Sequence, residues 1–232
     1  MPSRALNIVY EDADLLVVNK PAGLLTSTNE REKRPTLLAM VRDHVARERG
    51  KFRVGLIHRL DRDASGLLVF SKNHKTYASL KEQLFHRTMK RVYLAVVPGA
   101  MNPKNGRIES RLIELPDGRV VSTKRHGAGE RAITDYHTIA AKDDRSLLQI
   151  SLLTGRKHQI RSQLAERKHP IVGDKMYGPE PNNRASPLML CAVELSFTHP
   201  QTDELVNFKI RPPSAFVRLF PSIISGEGVT DD

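Results

Sequence analysis

Short apolar runs separated by polar turns dominate the chain, and few of them are long enough for a helix. "ALNIVYEDADLLVVNKPAG" holds two such runs around an acidic turn and predicts a hairpin ending at Pro21 and Gly23. In "PTLLAMVRDHVARERG" the apolar residues Leu37, Val41 and Val45 recur on one helical face, with Thr36 placed to cap the start and Gly50 the end. "GLLVFSK" predicts a strand, "HKTYASLKEQLFHRT" a basic helix, and "KRVYLAVVPG" a strand stopped by Pro98 and Gly99. Two further strands are predicted at "RAITDYHTIAA" and "SLLQISLL", joined by the polar turn "KDDR", and a helix over "KHQIRSQLAERK". In "AVELSFTHPQTDELVNFKIRPP", Val193, Leu195 and Phe197 alternate along one arm and Val206, Phe208 and Ile210 along the other, a hairpin with one buried face. Strand pairs linked by short turns and interrupted by few helices predict an α+β fold with a largely antiparallel sheet, not a doubly wound one. With no internal repeat, the simplest organisation is one domain over 1–221 and a flexible acidic tail over 222–232.

Composition narrows the setting. The 232 residues, 39% of them hydrophobic, suffice for a globular core. No basic stretch leads into a long apolar one at the start, and nowhere do apolar residues run long enough to span a bilayer, so secretion and membrane insertion are not expected. The single cysteine, Cys191, lies in the strand-like "LMLCAVELSF" and reads as a small buried thiol, which fits a reducing, cytoplasmic setting.

Charge changes the picture more. Lys and Arg total 37 against 26 Asp and Glu, a formal +11 that favours polyanionic partners. The excess is uneven: "SKNHKTYASLKEQLFHRTMKR", positions 71–91, carries a run of bases and one Glu, whereas the residues after Pro221 carry only acids. Tryptophan is absent and aromatics make up 5%, which argues against extensive base stacking on an aromatic platform.

Three clusters at strand ends carry candidate chemistry. "HRLDRDASG" places Asp61 between Arg59 and Arg62, followed by the small residues Ala64, Ser65 and Gly66, which permit a sharp bend and close approach by another molecule. "KRVYLAVV" carries Tyr93. "TGRKHQIR" follows a strand and opens a helix, where backbone N–H groups and Arg156 can meet an anion. Taken singly these read as a surface salt-bridge loop, a core tyrosine and an ordinary basic helix start. Leu60 between Arg59 and Asp61 breaks the kinase pattern, and no phosphate-covering glycine loop precedes it. No HExxH pattern or thiolate zinc set occurs, so a metal is not implied, and neither a nucleotide-binding glycine fingerprint nor a GxSxG elbow is present.

In this order, "VVNKPAGLL", "HRLDRDASGLLVFSK", "KRVYLAVVPG", "TGRKHQIRSQLA" and "HPIVGDKMYG" together closely resemble the RluA family of pseudouridine synthases, over residues 6–213. The resemblance implies isomerisation of selected uridines in structured RNA, rRNA or tRNA or both, without a cofactor. It also implies a mixed, mostly antiparallel sheet with a central catalytic cleft and a few flanking helices. The family's catalytic aspartate matches Asp61, its active-site tyrosine Tyr93, and the basic residue that pairs with the aspartate Arg161. Arg59 matches the arginine associated with displacing the target nucleotide, and Lys20 and Pro21 match a first motif whose role is mainly structural. Ala64, Lys157 and Gln163 stand where relatives usually have Thr, Thr or Ser, and His; none of these departures removes a reacting group.

The residue types suit the chemistry. The uracil must leave the stack before its bond to the sugar can be broken and remade through carbon. A carboxylate can attack a carbon or take a proton from the sugar, and a tyrosine offers a ring to stack and a hydroxyl for proton transfer. Arg59, Arg62, Lys72, Lys75, Lys90, Arg156, Lys157 and His158 are the expected RNA contacts, most of them to phosphates. The chain is expected to be the catalytic domain without the extra N-terminal RNA-binding domain of many relatives, acting as a monomer and recognising RNA through that domain alone. A noncatalytic RNA-binding protein on the same fold is the main rival.

Overall fold

The computed structural model describes residues 5–28, 34–49, 54–179 and 187–221. In chain order the elements are β1 (Ile8–Glu11), β2 (Leu15–Lys20), α1 (Leu37–Arg49), β3 (Gly55–Leu56), β4 (Ser65–Ser71), α2 (His74–Phe85), β5 (Lys90–Pro98) and β6 (Asn105–Glu114). There follow β7 (Val120–Ser122), β8 (Glu130–Lys142), β9 (Arg145–Leu152), α3 (Gln159–Glu166), β10 (Leu190–Thr198), β11 (Leu205–Lys209) and α4 (Ser214–Leu219). This is an α+β fold in which every strand pairing with a described register is antiparallel. All the segments predicted above form, while β3, β6, β7 and α4 have no counterpart in the sequence reading. The expected cap at Gly50 and the expected tail over 222–232 lie outside the described residues. Contacts divide the chain into two compact units, Met1–Arg91 with Ala192–Ile210 and Val92–Cys191 with Arg211–Asp232.

In the first unit the strand order is β1–β2–β4–β10, with β11 on β10 and β3 on β4. β2 and β4 pair from Leu15↔Ser71 to Lys20↔Gly66. Their apolar runs do not alternate because both faces are covered: Leu15, Leu16, Val17 and Val18 are fully buried, as are Leu68, Val69 and Phe70. One face joins Ile57, Leu80, Met89, Leu195 and Phe197 in a single cluster, where each buried side chain contributes roughly 1.5–3 kcal/mol. α1 buries Leu37, Val41 and Val45, and Thr36 Oγ1 accepts from the Ala39 N–H at 3.1 Å, the cap its sequence position predicts. α2 is capped by Asn73, whose side chain accepts from the Thr76 N–H at 2.8 Å. It buries Thr76 and Leu80 and packs Tyr77 and Leu84 on the cluster.

Gly66 opens β4 with φ +116°, and a Cβ there would lie 2.2 Å from the Ala192 carbonyl oxygen. The close approach that the small residues permit is thus made by β10, a strand of the same unit.

The second unit orders its strands β5–β9–β8–β6–β7. Leu112, Val120 and Ala132 form a small core. α3 is bound to this sheet through buried amides: Gln159 Nε2 donates to the Ile133 carbonyl at 3.0 Å and to Thr134 Oγ1 at 2.8 Å. Gln163 Oε1 accepts from Thr134 Oγ1 at 2.6 Å, while its Nε2 donates to Ser110 Oγ at 2.9 Å. Gln163, noted above as a departure from the family pattern, is fully buried and hydrogen-bonded on both ends.

Candidate active site

Asp61 sits half-buried in the loop between β3 and β4, and the backbone on both sides of it is clamped. Thr26 Oγ1 donates to the Leu60 carbonyl at 2.7 Å and accepts from the Leu60 N–H at 3.2 Å. The Arg62 carbonyl accepts from the Gly23 N–H at 2.9 Å and from Lys20 Nζ at 2.9 Å. Lys20, with no exposed surface, also donates to the carbonyls of Pro21 at 3.0 Å and Leu24 at 2.8 Å. The "NKPAGLL" segment is therefore a splint for the aspartate loop. Burial pushes the Lys20 ammonium down to about 8, against the pull of the nearby Asp61 and Asp63 carboxylates.

The loop's apolar residues Ile57, Leu60 and Ala64 point into the core, while Arg59 and Arg62 are exposed. Arg62 makes a bidentate pair with Asp63, both contacts 3.0 Å. His58 is buried, with neither ring nitrogen hydrogen-bonded. Burial first, then the positive charges of Arg91 and Lys81, lower it to about 3, so its ring is neutral at physiological pH.

In the second unit Arg161 is buried on α3. Its Nε and Nη2 donate to the two oxygens of Asp174 at 2.7 and 2.9 Å, and its guanidinium carbon lies 5.1 Å from the centre of the Tyr177 ring. Asp174, itself buried, also accepts from the N–H groups of Met176 at 3.0 Å and Tyr177 at 3.1 Å. Gly173 before it has φ +80°, and a Cβ there would fall 2.0 Å from the Pro187 carbonyl oxygen, so only glycine fits. Asp174 is the residue that sequence reasoning missed. Its signal was present in "VGDKMYG", a motif recognised there without a role for its acid. Tyr93 lies within β5, 4% exposed and opposite Ile150 of β9.

The expected RNA contacts divide. Arg59, Lys75 and Lys90 are exposed. Arg156 pairs with Glu130 at 2.7 Å, and Lys157 pairs with Glu114, both at the surface where such pairs exchange at little cost. His158, in the left-handed conformation at φ 50°, contacts the Tyr177 hydroxyl at 3.0 Å. Lys72 is a correction: it is 2% exposed and donates to Glu11 and to the Asp12 carbonyl, tying β4 to the β1–β2 turn. Its charge neutralises a carboxylate inside the fold and does not face RNA. The anion-receiving helix start also differs from expectation, since the Gln159 side chain takes up the Arg156 N–H at 3.0 Å. Among the described residues, no three His, Cys, Asp or Glu gather as a metal site, and no helix is long and apolar enough to cross a membrane.

Comparison with known proteins identifies the family. The family model for RNA pseudouridylate synthase matches residues 14–166. The uncharacterized RNA pseudouridine synthase YhcT of Bacillus subtilis is 39% identical over 209 residues, 87% of this chain and 67% of that protein. The ribosomal large subunit pseudouridine synthase D of Neisseria meningitidis is 36% identical over 227 residues, 93% of this chain but 60% of the relative. The solved human RNA pseudouridylate synthase domain containing 4 shares the fold at a TM-score of 0.76 and 23% identity, over 91% of this chain and 90% of that one. The chain belongs to the RluA-type RNA pseudouridine synthases, a family of isomerases.

Proposed function

We propose that the protein converts specific uridines of ribosomal RNA to pseudouridine, with Asp61 as the reacting carboxylate. The observation that carries this reading is the double clamp on Asp61, whose two chain neighbours are fixed through their backbones by Thr26, Gly23 and Lys20. A side chain that must meet a sugar or base carbon within a few tenths of an ångström needs such support, and a surface salt-bridge loop does not. Ribosomal RNA is favoured because a relative named for large-subunit modification matches nearly the whole chain, and the +11 charge suits a polyanion.

In this reading the target nucleotide swings out of its stack, and the exposed Arg59 occupies the space it leaves. The bond from the sugar's anomeric carbon to N1 of uracil breaks, the base turns, and the same carbon bonds to C5. The proton on C5 is lost and N1 gains one, so the isomerisation balances without a cofactor. Asp61 either attacks a carbon or removes a sugar proton. Tyr93 supplies a ring beside the base and a hydroxyl for proton transfer, and Arg161 is the cationic partner of the carboxylate. Asp174 holds that guanidinium in orientation. Arg62, Lys75, Lys90, Arg156, Lys157 and His158 are assigned to the RNA backbone. The proposal extends to a monomer working in the cytoplasm, where a lone buried thiol stays reduced.

The test is incubation of the protein with in vitro transcribed large-subunit rRNA and, separately, with transcribed tRNA, followed by pseudouridine mapping. Pseudouridine at defined rRNA positions is the expected result. Salt-dependent RNA binding with no pseudouridine in either RNA would instead make the protein a noncatalytic binder.

A further inference from the structure

The exposed side of α2 carries an aromatic residue that the fold does not use. Thr76, Tyr77, Leu80 and Leu84 face the core, whereas His74, Lys75, Ala78, Lys81, Glu82 and Phe85 are exposed. Phe85 is 80% exposed at the last position of the helix, its ring resting edge-on against His86 at 5.1 Å. His86, Arg87, Thr88 and Lys90 beyond it are also exposed.

Two observations say what covers this ring. The first is its neighbours along the chain: the exposed Lys81, Arg87 and Lys90 against the one exposed acid Glu82, with no second large exposed hydrophobic residue in the helix or the turn after it. A protein-docking patch is built from contiguous apolar surface. A single aromatic ring set among cations is instead how single-stranded nucleic acid is held, the ring under a base and the cations on adjacent phosphates. The second is connection to the aspartate loop. Lys81, one helical turn before Phe85 on the same side, points its ammonium at the Ile57 carbonyl at 3.4 Å, and with Arg91 it presses on His58. Lys81 therefore ties the exposed side of α2 to the start of that loop.

We propose that Phe85 is a base-stacking platform for a nucleotide of the RNA substrate outside the target uridine, with Lys81, Arg87 and Lys90 on the neighbouring phosphates. This rests on the RNA reading above and adds to it a residue that grips a base without taking part in the reaction. It also qualifies the composition: a chain poor in aromatics and without tryptophan still holds one ring in position to stack.

The absence of tryptophan makes the test direct, because Phe85→Trp introduces a single indole emitter. Its fluorescence is expected to be quenched by a short oligouridylate and left unchanged by inorganic polyphosphate of equal charge. Phe85→Ala is expected to weaken binding of transcribed large-subunit rRNA by about tenfold, within the range of a lost base stack. The single-turnover rate at saturating RNA should be unchanged, with Phe85→Tyr restoring the affinity. Equal quenching by polyphosphate, or wild-type affinity in Phe85→Ala, overturns the stacking site while leaving pseudouridine formation intact. A wild-type protein that neither binds RNA nor forms pseudouridine overturns the functional reading, and this site with it.

Discussion

Lys20 is a buried cation held by backbone oxygens, and this makes it the most informative titrating group packed against the aspartate loop. A neutral amine has only two N–H donors for the carbonyls of Pro21, Leu24 and Arg62, so losing the proton must release one of them. Its folded value of about 8 lies below the ordinary 10.5. A depressed value means that the unfolded chain holds the proton more tightly between these limits. This group's contribution to stability is therefore complete above the unfolded value and is lost as pH falls through the folded one. Compared with Lys20→Met, the wild type should gain up to about 3 kcal/mol as pH rises from about 8 to about 10.5. Denaturant unfolding of both proteins across that range measures it, and parallel curves would show that the proton affinity of Lys20 does not change on folding. Asp174 allows a second test. Removing a carboxylate from a buried bidentate pair costs about 3–5 kcal/mol, so Asp174→Ala should unfold at clearly lower denaturant and lose activity even where still folded. Unchanged stability would deny it the role of holding Arg161. Neither residue was legible in the sequence as more than part of a motif: a lysine before a proline and an aspartate after a glycine reveal nothing about which carbonyl or guanidinium they meet.

Elements were more legible where local pattern and environment agree. The β10–β11 hairpin follows from alternation, and Leu195 and Phe197 are buried as that alternation requires. α1 and α2 follow from helical spacing and their caps. β6 was missed because only Ile108 and Leu112 along "NGRIESRLIE" are buried. Two apolar residues four apart resemble a helix face as much as a strand. Its outer face is instead polar and ion-paired, Arg107 with Asp135 at 2.6 Å and Arg131 with Glu109 at 2.6 Å. β3 has two residues and exists only through its pairing with Ser71 and Phe70 of β4. Gly66 shows the same limit from the other side. Its small size was visible, but the cause, the Ala192 carbonyl of a strand far along the chain, was not. Gly66→Ala should cost about 3 kcal/mol or more from backbone strain and overlap, a fall of about 6–12 °C in Tm for a protein of this size. A change under a degree would mean that β4 and β10 part without penalty.

At the scale of the whole molecule, local pattern could not reveal that Ala192–Ile210 returns to complete the unit begun by the N-terminal strands. Pairing across so long a stretch depends on which faces remain uncovered after the nearer strands have met. The class of chemistry was legible, because a string of five motifs in fixed order is far more specific than any one of them. In the proposed function the molecule needs two things, a net charge of +11 that suits a polyanion and one carboxylate placed with little freedom to move. These two properties separate under mutation, since phosphate contacts are spread over many side chains and the reaction is not. The decisive measurement is pseudouridine mapping of transcribed large-subunit rRNA after incubation with Asp61→Ala, with RNA affinity measured on the same preparation. The account requires affinity close to that of the unmodified protein and no pseudouridine at any position that protein modifies; wild-type turnover by the variant would contradict it.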